Sequence, residues 1–168
     1  KVPLNDTSVE VLIPSMGDLA ASMFAASLRS LGFNAKAIEL PTHDVLKLGK
    51  ANTTGTECLP LIMMAGSLLD YIENKWDGKT KLAFFIVQGA GNCRLGQYPV
   101  FMRDLFKRKR LKNVAQMILM NEDGFAGLGG KFALRGIQAI LATDVLEDIR
   151  SAIMANAVDP EHGYNYFM

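Results

Sequence analysis

The chain has 168 residues, of which 49% are hydrophobic and 21% charged, with 18 Lys+Arg against 17 Asp+Glu for a net charge of +1. That balance excludes a disordered tail, and without a basic excess there is no case for a nucleic-acid platform. Two cysteines, Cys58 and Cys93, are too few for a disulfide-stapled secreted scaffold.

The length suits one domain with a full core over residues 1–168. No apolar run approaches the roughly 20 residues that a bilayer crossing needs, so no membrane partner is expected. The chain starts at Lys1 with no signal peptide in view. It reads as a piece of a longer, multidomain cytoplasmic protein.

Val9–Pro14 is a short, mostly apolar run ended by proline, the pattern of a buried strand. Ser15 precedes Asp18 by three, a capping-box-like start. Leu19, Met23, Phe24, Ser27, Leu28 and Leu31 then follow at helical spacing until Gly32. Ala35–Leu40 alternates as a second strand, and Pro41 stops it. Thr42 is placed to cap a short helix running to Lys50.

The small, polar stretch 51–60 carries the first cysteine. Leu61–Trp76 returns to helical spacing, with Leu61, Met64, Ala65, Leu68, Leu69, Ile72 and Trp76 inward. Leu82–Val87 is apolar throughout, as a strand buried on both faces should be. Residues 88–97 hold three glycines and the second cysteine, and Tyr98, Phe101, Met102, Leu105 and Phe106 form the next helical stripe. Val114–Met120 is a fourth strand and Asn121–Gly130 a Gly-rich loop. Leu134–Met154 is a long helix expected to bury Ile137, Leu141, Val145, Ile149 and Ile153.

Strands alternating with helices demand right-handed parallel crossovers. The expected fold is therefore α/β: a three-layer parallel sheet of about four strands with helices on both faces, Rossmann- or flavodoxin-like. Open parallel sheets bind ligands beyond the carboxyl ends of their strands. Both cysteines and most glycines that do not close a helix fall on that edge.

Cys58 precedes a helix start, where negative charge is favoured, and Cys93 lies beside Arg94 in a glycine-rich loop. Two soft thiolates on adjacent crossover loops suit iron or zinc, or a redox pair. The alternative is that each is a small buried hydrophobe. Gly89-Ala90-Gly91-Asn92 is similar to a phosphate cradle, but Gly96 falls two residues late for a dinucleotide fingerprint. Lys107–Arg110 with Lys112 reads as a solvated helix end. His43 and His162 read as surface residues, Glu122-Asp123 as a common turn pair, and the nine methionines as core filler.

Taken in order, IPSMGDLAASMFAASLRSLGFNA, LKLGKANTTGTECLPLIMMAGSLL, FFIVQGAGNCRLGQYPVFMRDL and NEDGF…RGIQAILATDVLEDI form a set. The set resembles the dehydratase-like region of the large activators of the 2-hydroxyacyl-CoA dehydratase system, also described as CoA-substrate-specific enzyme activases. The resemblance spans roughly positions 9 to 150, and TGTECLP and GNCRLGQY are its specific part.

The resemblance implies Cys58 and Cys93 as ligands of a 4Fe-4S iron–sulfur cluster used in low-potential electron transfer, with Gly89, Gly91, Asn92, Arg94 and Gly96 shaping the loop around it. It implies an ATPase module of the same longer protein and an acyl-CoA dehydratase or reductase as partners, with a homo-oligomer as a further arrangement. Subunits of that kind generally supply three cysteines, so a two-cysteine chain draws a further ligand from elsewhere or carries no cluster when isolated. ATPase motifs are not found in this sequence, and it holds no complete catalytic machinery. Two other readings compete: a non-catalytic docking module for the ATPase part or a CoA-enzyme partner, and a flavodoxin-like domain using the Gly89–Gly96 turn for a small ligand.

Overall fold

The computed structural model describes residues 6–89, 91–119 and 129–168. Four parallel strands, β1 (Val9–Ile13), β2 (Asn34–Ala37), β3 (Lys81–Val87) and β4 (Val114–Leu119), stand in the order β2-β1-β3-β4. The helices are α1 (Asp18–Ser30), α2 (His43–Ala51), α3 (Leu59–Asn74), α4 (Tyr98–Arg108), α5 (Gly129–Asn156) and α6 (Pro160–Phe167). The expected three-layer α/β arrangement is therefore observed.

The inner strands β1 and β3 are apolar runs covered on both faces. Along β3, Leu82, Phe84 and Ile86 point to one face and Ala83 and Phe85 to the other, all buried. Each large side chain so buried contributes roughly 1.5–3 kcal/mol. On the first face, Leu12 of β1 and these β3 residues pack under α3 and α4 through Leu61, Ala65, Leu68, Met102 and Leu105. On the second, Val11, Ile13 and Phe85 pack under α1 and α5 through Ala21, Ala25, Leu28 and Phe132. The helix α2 lies on α3 rather than on the sheet.

Several boundaries differ from the sequence reading. Ser15 does not cap α1. Gly17 is the N-cap residue, at φ 99°, and no side chain bonds into the first turn. β2 ends at Ala37 rather than Leu40, because only Ile38 N–H continues to bond β1, at Ile13 O. Thr42 does cap α2, with Oγ1 accepting from Val45 N–H. A sixth helix, α6, forms in the tail behind Asp159, whose carboxylate accepts from His162 N–H. Met16 and Met154 are exposed while Met102 and Met117 are buried, so the methionines are only partly core. His43 and His162 are exposed, as is the basic run, where Arg108 pairs with Asp104 at 2.7 Å.

The largest correction concerns α5. Ile137, Leu141, Val145 and Ile149 are exposed and Ile153 is only half-buried; the face turned inward carries Phe132, Gly136 and Ala139. The reason is the packing against α1. Phe24 of α1 lies tilted at 4.9 Å from Phe85 and edge-on at 6.1 Å to Phe132, so the contact of α5 with α1 is centred on these rings. At Gly136 a Cβ would stand 3.8 Å from Phe24, an ordinary van der Waals contact. Leu141→Lys is therefore expected to change stability by less than about 0.5 kcal/mol, read from the urea midpoint. A loss several times larger would mean that the stripe is packed after all.

Candidate functional site

Parallel crossovers bring the chain back to the carboxyl edge of the sheet after each strand. Three described segments meet there: Pro14–Gly17 after β1, Thr53–Cys58 before α3, and Gln88–Gln97 after β3. The fourth loop, with Glu122-Asp123, lies outside the described residues, as does Ala90.

The TGTEC segment is a turn closed by its own carboxylate. Glu57 accepts from Thr54 N–H at 3.0 Å, Gly55 N–H at 3.0 Å and Thr54 Oγ1 at 3.0 Å. Gly55 sits at φ 88°, where a side chain would be strained. Burial alone would push the Glu57 carboxyl up; the backbone and hydroxyl donors outweigh it and hold the carboxyl below its usual range. The turn delivers Cys58 to the N-cap of α3, where its carbonyl accepts from Leu61 and Ile62 N–H. Its side chain makes no capping bond, which leaves the sulfur free to point elsewhere.

The sulfur points to Tyr98. Cys58 Sγ and the Tyr98 hydroxyl are 2.9 Å apart, across 40 positions of sequence. Tyr98 is the first residue of α4, buried beneath the loop that carries Cys93. Burial, then the hydrogen bond to Cys58 and the charges of Cys58 and Cys93, push the Tyr98 phenol well above the usual tyrosine range. The phenol therefore keeps its proton while in hydrogen-bond contact with the sulfur.

Cys93 is exposed and caps a single 3-10 turn at Arg94–Gln97, its Sγ accepting from Leu95 N–H at 3.5 Å. Arg94 Nη1 donates to Thr56 O at 2.9 Å and so ties the two cysteine loops together. Both thiols are free. Between the loops lies a cleft of about 380 Å³ bordered by Cys58, Arg94, Gln97 and Tyr98.

The remaining expected loop residues have separate places. Gly96 supports a close approach, since a Cβ there would stand 3.3 Å from Gly89 O. Gly91 adopts φ 151°, and Asn92 is exposed at the rim. Gly89 has open space around its missing Cβ. The loop is thus closed on itself by Gly96 and by Gln88 Nε2, which donates to Gly96 O at 3.4 Å.

In the sequence Tyr98 belongs to a core stripe, and periodicity does not mark its hydroxyl. The available signal was its place five residues after Cys93 at the start of a helix. The Thr54–Glu57 turn carries no periodic signal either, although Glu57 immediately precedes the cysteine.

The cleft is bordered by the Cys58 thiol, the Tyr98 phenol and the Arg94 guanidinium, while the exposed Cys93 thiol stands on the neighbouring loop outside its lining; soft thiols of this kind suit a soft metal or a metal–sulfide group. Among the described residues no set of three His, Cys, Asp or Glu side chains is placed to hold a metal ion. Thiols are the donor type that such a group takes. No family model, curated protein or solved structure matches the chain. Among the described residues no helix is long and apolar enough to cross a membrane.

Proposed function

We propose that the chain is a dehydratase-like domain of a CoA-substrate-specific enzyme activase, related to 2-hydroxyacyl-CoA dehydratase components, in which Cys58 and Cys93 help to hold an iron–sulfur cluster. The observation that carries this reading is the convergence of two cysteine loops, from separate crossovers, on Tyr98 and on the Arg94–Thr56 bond. The motifs TGTECLP and GNCRLGQY supply the family resemblance.

In this reading Cys58 and Cys93 act as thiolate ligands, and the further ligands come from outside the described residues, from a second chain or another domain. A bound cluster supplies one-electron transfer at low potential, tuned by nearby hydrogen bonds and charge. Tyr98 donates to the Cys58 sulfur and fixes its direction. Arg94 holds the loops at one spacing and adds positive charge beside them. Gly91 and Gly96 keep the Cys93 loop compact, and Gly89 and Asn92 leave its outer side open to a partner. The partners proposed are an ATPase module of the same longer protein and an acyl-CoA dehydratase or reductase, in the cytoplasm.

The test is anaerobic incubation with ferrous iron and sulfide, followed by visible absorbance and iron analysis. The unmodified chain is expected to retain iron and sulfide after desalting, in the presence of its ATPase module where the chain alone does not. Cys58→Ser and Cys93→Ser are each expected to lose most of that iron. Equal retention in both variants would remove the ligand assignment.

A further inference from the structure

A second site lies behind Tyr98, and its argument does not depend on cluster ligation. β1 and β3 are neighbours in register, Leu12 opposite Phe84, but β1 stops at Ile13 while β3 continues to Val87. The chain leaves β1 towards β2 on one side and leaves β3 towards β4 on the other. Such a reversal opens a crevice over the strand ends, where ligands of doubly wound folds bind. Here the crevice measures about 520 Å³ and is walled by Met16, Met63, Met64, Phe85 and Val87, with Tyr98 closing one side.

Two features define what this crevice takes. First, no charged side chain among the described residues lines it, so a carboxylate or phosphate held against these walls would lose its hydration without compensation. Second, Ser67 lines it with its hydroxyl unused. Ser67 is buried, at 4% exposure. A helical serine or threonine ordinarily bonds back to the carbonyl four residues earlier, as Thr143 does to Ala139 O at 2.8 Å. Ser67 forms no such bond, nor any other side-chain hydrogen bond among the described residues.

No fully sealed side-chain oxygen or nitrogen among those residues lacks a partner. The Ser67 hydroxyl must therefore face open space, and the space it borders is this crevice. A resident water needs two to four polar neighbours. Besides Ser67 the wall offers half-buried Ser15 and the Tyr98 phenol, and the phenol is already engaged by Cys58.

We propose that this crevice is a binding site for a small uncharged ligand: an apolar body, alicyclic or branched aliphatic, carrying one oxygen that pairs with Ser67. The methionines suit such a guest, because their flexible thioethers adapt to irregular apolar shapes. The same site rejects the corresponding carboxylate.

The test uses the chain labelled with ¹³C at its methionine methyls, titrated with cyclohexanone and, separately, with cyclohexanecarboxylate at neutral pH. Cyclohexanone is expected to shift the Met63 and Met64 methyls saturably and leave Met117, in the opposite core, unmoved. The carboxylate is expected to leave all of them unmoved. Ser67→Ala, a substitution a helix accepts, is expected to weaken cyclohexanone binding about three- to tenfold, the worth of one hydrogen bond. Three results would each overturn the proposal: no saturable shift at Met63 and Met64, equal binding of the carboxylate, or an unchanged affinity in Ser67→Ala. The two-probe comparison decides on the unmodified chain, whatever the variant does.

Discussion

Gly66→Ala is expected to destabilise the domain by about 3 kcal/mol, and Gly49→Ala by a similar amount. The two glycines face each other where α2 crosses α3. A Cβ on Gly66 would stand 2.2 Å from Val45 O, and one on Gly49 would stand 2.2 Å from Ile62 O. Both obstacles are backbone carbonyls inside helices, so no rotamer change relieves them and the helices must separate. Val45 and Ile62, buried at this contact, would lose packing as they do. Gly89→Ala serves as the comparison, since among the described residues nothing lies within 4 Å of its added Cβ; a change within about 0.5 kcal/mol is expected there. Urea midpoints of the three variants check the ranking. Because Cys58 caps α3, the same displacement should also reduce iron retention by Gly66→Ala.

At high pH the domain is expected to lose stability steeply, and two buried tyrosines are the reason. Tyr71 donates to Glu10 Oε1 at 2.8 Å and receives Lys36 Nζ at 3.4 Å. Burial first, and then the hydrogen bond and charge of Glu10, push its phenol far above the ordinary value of 10.0. Tyr98 is pushed the same way by burial and by Cys58. In both cases the folded state holds the proton more tightly than the unfolded chain does.

Their contribution is therefore complete below about pH 10 and is lost as the pH climbs from there toward the folded values. Each tyrosine removes at most about 1.4 kcal/mol per pH unit over that window. Tyr71→Phe should start less stable near neutrality, because Glu10 loses its donor, yet show a shallower alkaline decline. Urea midpoints measured from neutral pH into the alkaline range check both effects. An identical decline in Tyr71→Phe would place the alkaline loss in other groups.

Much of the fold was legible in the chain because its signals are local. The apolar run Leu82–Val87 had to be a central strand, and Pro14 and Gly32 mark real ends. Thr42 behaves as the cap its chemistry suggests. Elsewhere a local signal lost to geometry. Ser15 sits where a cap should, but the chain turns at Gly17 with φ 99°, and the first turn of α1 receives no side chain. On α5 the large residues Ile137, Leu141, Val145 and Ile149 mark an apolar stripe by themselves. The inward face is instead the one that carries Phe132, Gly136 and Ala139, set against Phe24 of another helix.

The candidate site divides along the same line. The sequence by itself determined that Cys58 and Cys93 belong to loops on one edge of a parallel sheet, because strand and helix order fixes which loops share an edge. That Cys58 Sγ meets Tyr98, that Arg94 reaches Thr56, and that Ser67 turns an unpaired hydroxyl into an apolar crevice were decided by tertiary structure alone. Periodicity records which residues favour burial. It carries no record of the partner, since the residues that meet are dozens of positions apart and are joined only by the packing of α3 and α4 on one face of the sheet.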